Sequence, residues 1–241
     1  MMAPSQQDSP PIAIIGIILN SFLPHRNLRL AARSLGADPP PVFTNDSIVA
    51  DMDQFGYVRI DALCVDGSAR GARTWVVFLV LAGSKKPSNY KPEFSKLLEG
   101  INAERPTKEG RLNELIIIAE DPFFGKKNLT EVICNTRKKN QVDGPDLEGR
   151  APFYSAYPYR NFTVVIPEHE CVYPHRIMAP DEVKHFLKRE HLKLQDLPAI
   201  YNNDPPVIWA GGRSGQVVEI TRDSQTAGKA IYYRRIIPAG L

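Results

Sequence analysis

Along the chain, stretches of helical periodicity alternate with short β-branched runs, and proline or glycine clusters separate them. Residues 12–35 carry apolar positions at helical spacing. Pro24 is expected to interrupt that helix, because proline removes a backbone donor and crowds the preceding turn, and Pro39-Pro40-Pro41 stops it. Residues 44–55 predict a second helix, with Thr44 or Asp46 available to cap its free N–H groups. Residues 57–65 alternate polar with apolar and end at Asp66-Gly67, the pattern of a half-buried strand and a tight turn, with residues 75–81 as the expected partner strand. Residues 93–101 repeat Phe94, Leu97, Leu98 and Ile101 at helical spacing. Leu115-Ile116-Ile117-Ile118-Ala119 is apolar throughout, as a strand covered on both faces must be.

A further helical pattern occupies residues 129–138, and residues 141–151 read as a surface loop with two glycines and a proline among charged residues. Residues 161–166 are expected to form the last strand of the first region, ended by Pro167. Beyond it, Pro180 followed by Asp181 and Glu182 marks a helix start, with proline in the first turn and acids at the positive end of the dipole. Residues 217–220 and 230–237 read as strands joined by a turn over residues 222–228. These elements predict a mixed α/β chain of the α+β kind. Residues 1–11 form a loose arm, 12–166 a domain with a mixed sheet and flanking helices, and 167–241 a small α/β domain.

Composition narrows the class. With 43% hydrophobic residues the chain is too apolar for a disordered protein. Formal charge is +3, divided as 20 basic and 18 acidic residues up to residue 163 and 10 and 9 beyond it, so neither half is a basic nucleic-acid clamp. Cys64, Cys134 and Cys171 form no C-x-x-C pair, which signals neither a disulfide framework nor a four-cysteine zinc site and fits a reducing compartment. The apolar run 12–19 is far shorter than the ~20 residues of a membrane helix. The preceding segment lacks Lys and Arg, unlike a secretory leader. A soluble, intracellular protein without membrane contact is expected.

Few residues suggest chemistry. Gly211-Gly212-Arg213-Ser214-Gly215 resembles a phosphate loop, but such a loop needs a strand before it and a helix after it. Here Pro205-Pro206 lies upstream and a β-branched strand downstream, so a glycine turn is favoured. His169, Cys171 and His175 would need Glu168 or Glu170 to complete a tetrahedral metal set, and ordinary polar roles are favoured. His185 and His191 are six apart, on opposite sides of a helix. Ser214, Ser224 and Thr226 lack the strand-nucleophile-helix elbow of a hydrolase. The fairer catalytic alternative is a metal-dependent nuclease on the N-terminal sheet, with Glu114, Glu120 and Asp121 flanking a buried strand. Its lysine, Lys126, is displaced from the usual position by Pro122-Phe123-Phe124-Gly125. No metal or cofactor is expected.

The ordered C-terminal motifs carry a family resemblance. His169 and His175 are followed by Leu197-Pro198-Ala199-Ile200, Asp204-Pro205, Gly211 with Arg213 and Gly215, Arg222-x-Ser224-x-Thr226-Ala227-Gly228, and Tyr233-Arg234. This series resembles the assembly domain of the small jaw subunit of multisubunit RNA polymerases, subunit 5 of the eukaryotic enzymes and its archaeal counterpart. Two positions depart from the family pattern: the proline expected at Tyr173 falls at Pro174, and Trp209 replaces a more usual tyrosine. Glu114-Leu115-Ile116-Ile117-Ile118 followed by Gly125-Lys126-Lys127-Asn128-Leu129 looks like the strand, loop and helix at the jaw tip, and Asp204-Pro205-Pro206-Val207-Ile208-Trp209 is similar to large-DNA-virus versions.

The resemblance implies a non-catalytic subunit of a DNA-dependent RNA polymerase. Its residues 167–241 would dock on the largest subunit and join the polymerase core, and residues 12–166 would form the jaw. Gly125, Lys126, Lys127 and Asn128 would lie near downstream duplex DNA, in weak contacts blind to sequence. For a viral source it implies the host cytoplasm or the virion, with the nucleus as the alternative.

Overall fold

A five-stranded sheet organises the N-terminal part of the computed structural model, and a four-stranded sheet organises the C-terminal part. The structure describes residues 10–31, 42–64, 73–79, 112–119, 153–224 and 228–239. The chain divides into two units, Met1–Thr163 and Val164–Leu241. The expected helices at 93–101 and 129–138 and the loop at 141–151 lie outside the described residues.

The first unit opens with α1 (Pro10–Ile17), which passes through a π-type segment, Ile18–Phe22, into the single turn α2 (Leu23–His25). Pro24 does not break the helix. The Leu23 N–H donates to the Ile18 carbonyl five residues back, and the widened turn makes room for the proline ring. Ile15, Ile18 and Phe22 are fully buried, and Phe22 meets the Phe162 ring edge-on at 4.9 Å. Asn27 adopts a left-handed φ of 54° and ends the helix. Residues 28–30 are therefore not helical as expected but form β1 (Leu28–Leu30), antiparallel to the next strand.

Helix α3 (Asn45–Phe55) is capped by Thr44, whose hydroxyl accepts from the Ser47 N–H at 3.2 Å while the Ser47 hydroxyl accepts from the Thr44 N–H at 3.0 Å. Strands β2 (Tyr57–Cys64) and β3 (Arg73–Leu79) pair antiparallel, and β3, β4 (Leu112–Ala119) and β5 (Phe153–Pro158) pair parallel. Parallel strands are covered on both faces, which is why residues 115–119 are apolar without alternation and have no exposed surface.

The last strand of this sheet is β5 rather than residues 161–166. Tyr159–Phe162 is a 3-10 turn, and Val164 is 50% exposed. The place beside β4 is filled by residues 153–158, whose Ser155 hydroxyl reaches Glu114 at 3.2 Å, so tertiary pairing overrides the β propensity of Thr163-Val164-Val165.

In the second unit the strand order is β6-β8-β9-β7. Its elements are β6 (His175–Ile177), α4 (Pro180–Arg189), β7 (Ala199–Tyr201), α5 (Pro205–Trp209), β8 (Val217–Ser224) and β9 (Gly228–Ile237). Strand β8 runs on through Arg222 to Ser224, which pairs with Gly228 at the start of β9, so the ladder reaches into the 222–228 span expected as turn. Helix α5 was not anticipated. Pro205 starts it because a proline at the first helical position loses no bond, and Asp204 precedes it in extended backbone.

Core packing lies on both faces of this sheet. Phe186 of α4 packs with Met178, Leu197 and Val217 against one face, joined by Tyr233, whose ring centroid is 4.1 Å from that of Phe186. On the other face Val207 of α5 packs with Val218, Ile220 and Ile236, beside Ile177 and Ile200.

Candidate assembly surface

Directly opposed residues of neighbouring strands share a sheet face, and successive residues alternate. The register therefore fixes which motif residues meet. His175 opposes Ile220, Ile220 opposes Tyr232, and Val218 opposes Arg234. Arg222, two residues past Ile220, joins the same face as His175, Tyr232 and Arg234, the face that Val207 of α5 partly covers.

This face has an apolar part beneath α5 and an uncovered polar part. In the polar part the Arg222 guanidinium lies 5.4 Å from the Tyr173 ring centroid and 5.1 Å from that of Tyr232. Both tyrosines are exposed. Arg234 donates to the Ala199 carbonyl at 3.3 Å. The His175 Nδ1 lies 2.6 Å from the Tyr173 carbonyl oxygen. Burial lowers the His175 pKa below its ordinary value, aided by the positive charges of Arg222 and Arg234 and opposed by that hydrogen bond and by Asp204. Burial raises the Asp204 carboxyl, against the pull of His175 and Arg234.

Most of the other described motif residues form the frame. Leu197 is buried under α4, and the Pro198 carbonyl accepts from the Arg235 N–H at 2.8 Å, which ties β7 to β9. Pro205 begins α5, and Gly211 and Gly215 hold φ of 74° and 91°, conformations that favour glycine. Between them the Arg213 N–H donates to Gln216 Oε1 at 2.7 Å. Gly212 is buried where an added Cβ would lie 2.6 Å from Val207 Cγ1 and 2.7 Å from Ile236 Cδ1, so α5 sits close on the sheet because no side chain intervenes. Ser224 opposes Gly228 at the end of the hairpin, where Gly228 takes φ 71°. Tyr233 faces α4 and, partly buried, packs against the core on that side.

His169 lies outside the strands, its Nδ1 accepting the Cys171 N–H at 3.2 Å. Thr226, Ala227, Gly125, Lys126, Lys127 and Asn128 lie outside the described residues. Among the described residues no three His, Cys, Asp or Glu side chains gather as a metal site. Sequence reasoning missed Tyr173 as part of the surface and gave Tyr232 no role. The signal for Tyr232 was its period-two spacing with Arg234.

The nuclease alternative finds no support. Glu114 is buried, paired with Arg26 at 3.0 Å and hydrogen bonded by Ser155, an arrangement that spends its oxygens on the fold. Glu120, Asp121 and Lys126 lie outside the described residues.

The C-terminal unit is thus a small sheet braced by a helix packed on each face, with charged and aromatic side chains left exposed on one of them. Residues 164–236 match the family model described as RNA polymerase Rpb5, C-terminal domain. The chain is 38% identical over 123 residues to the DNA-directed RNA polymerase RPB5 homolog of African swine fever virus, isolate Tick/Malawi/Lil 20-1/1983. That match covers 51% of this chain and 56% of the viral protein, so the chain spans little more than half the length of such viral relatives. It is 42% identical over 72 residues to the DNA-directed RNA polymerase subunit Rpo5 of Methanocaldococcus jannaschii, covering 30% of this chain and 92% of the archaeal subunit. The Rpo5 subunit of Nitrosopumilus maritimus is 36% identical over 74 residues, 31% of this chain and 89% of its own. The chain belongs to the RNA polymerase subunit 5 family.

Proposed function

We propose that this chain is a non-catalytic subunit of a DNA-dependent RNA polymerase, with its C-terminal unit docked on the largest subunit. Four residues of the C-terminal motif series, His175, Asp204, Arg222 and Arg234, are electrostatically coupled around one sheet face, and this grouping carries the reading. Leu197, Pro198, Pro205, Gly211, Gly215 and Tyr233 brace the module, so it loses little conformational freedom on binding. The names of the viral and archaeal relatives, all polymerase subunits, support the same reading.

Residues 12–166 serve as the jaw. The Gly125-Lys126-Lys127-Asn128 segment meets the phosphates of downstream duplex DNA and reads no bases. The relationship to a viral polymerase subunit favours host cytoplasm or virion as the place of action. Deleting residues 167–241 from a tagged chain tests the docking claim. Loss of co-purification with the largest polymerase subunit is expected, and retained association would overturn it.

A further inference from the structure

On the docking function just given, the partner must bring a group that satisfies the open part of this surface. Of the two arginines on this face, Arg222 is the one with a buried guanidinium nitrogen left without an acceptor among the described residues. Its Nε is buried without a hydrogen-bond acceptor among the described residues, whereas Arg234 donates to the Ala199 carbonyl. Ring faces on Tyr173 and Tyr232 stabilise the Arg222 charge and restrict its motion, but a ring centroid is no substitute for an oxygen acceptor. Leaving a buried charged donor unsatisfied is costly, so the guanidinium gains strongly when it shifts to meet an acceptor that a partner brings.

The shape of the charge selects the occupant. Arg222 and Arg234 both act on His175 from the same sheet face, Asp204 acts on Arg234 and His175, and burial keeps His175 disposed to its neutral form. A phosphate backbone needs a continuous basic track, which the carboxylate of Asp204 interrupts. A single carboxylate fits: it offers the paired oxygens that match a guanidinium fork, and its aliphatic stem can lie against the tyrosine rings. We propose that Arg222, held between Tyr173 and Tyr232, receives an Asp or Glu side chain from the largest polymerase subunit, making this cluster the energetic centre of the interface. Buried Arg and Tyr dominate such centres elsewhere.

The test co-expresses the tagged full chain with the largest subunit and measures retention, with melting temperature as the check on folding. Arg222→Glu should reduce affinity by about thirty-fold or more. Arg222→Gln, which brings no reversed charge into a half-buried position, should also weaken binding. Lys229→Glu, exposed and on the α4 face by strand alternation, should bind as the unaltered chain does. Full retention of both Arg222 variants beside a binding unaltered chain overturns the carboxylate proposal alone. No retention of the unaltered chain overturns the docking function and this inference together. A duplex-DNA titration supplies the remaining arm: if Arg222→Gln loses DNA affinity while keeping the subunit, the occupant is a phosphate and the proposal is wrong.

Discussion

Gly212→Ala probes the closest approach in the C-terminal unit. The new methyl would stand 2.6 Å from Val207 Cγ1, 2.7 Å from Ile236 Cδ1 and 3.0 Å from Ile177 Cδ1. Gly212 is not among the glycines with positive φ, so the penalty is steric and not conformational. An isoleucine Cδ1 can swing aside, but Val207 is β-branched and anchored on α5, whose carbonyl accepts the Gly212 N–H at 2.9 Å. Overpacking of this kind costs about 1–3 kcal/mol. In a unit of this size each kcal/mol lowers the melting temperature by about 4–8 °C. Differential scanning calorimetry of the full chain should show the transition of the C-terminal unit shifted down by at least ~4 °C. Ile236→Val removes one of the colliding methyls and alone costs about 0.5–1.5 kcal/mol. Combined with Gly212→Ala it should cost less than the two single changes added together, by about 0.5 kcal/mol or more. An unchanged melting temperature for Gly212→Ala, or strict additivity in the double variant, would refute the close-packing argument.

Three further outcomes follow from the same geometry. The folded-state pKa of His175 lies below its ordinary 6.5, so its contribution to stability is full above that pH and is lost as pH falls through the folded value. His175→Gln should flatten the decline in melting temperature between pH 6.5 and that folded value, while Asp204, raised by burial above 3.8, acts with the opposite slope at lower pH. Glu114→Ala strands the nearly buried Arg26 guanidinium and should cost about 3–5 kcal/mol in urea unfolding, whereas a catalytic Glu114 would show an activity loss with little change in stability. If the jaw segment meets phosphates, Lys126→Ala with Lys127→Ala should reduce the log–log salt slope of duplex-DNA affinity by about 0.9 per contact removed, and an unchanged slope would exclude the contact.

The parts of the fold written in local chemistry were legible. Thr44 with Ser47, Pro180 with Asp181 and Glu182, and the unbroken apolar run at Leu115 each declared an element because the signal and its structural cause lie within a few residues. Errors arose where pairing decided. Thr163-Val164-Val165 has strand propensity but no place in the ladder, because residues 153–158 occupy the slot beside β4. Residues 28–30 look helical by spacing, yet Asn27 turns the chain back to pair with β2. At the candidate surface, motif order identified the residues without separating frame from face. Tyr233 and Tyr232 are adjacent in sequence, but strand alternation sends one into the α4 core and the other to the open side. Only the register of β8 against β9 makes that distinction.

The sharpest test of the account asks what lies against that open side. A photo-reactive phenylalanine analogue placed at position 232 of the full chain, and at position 229 as the opposite-face control, would be irradiated in native extract and the adducts identified by mass. The account predicts a cross-link from position 232 to the largest RNA polymerase subunit and none from position 229. Polymerase adducts absent from position 232, or equally abundant from both positions, would contradict it.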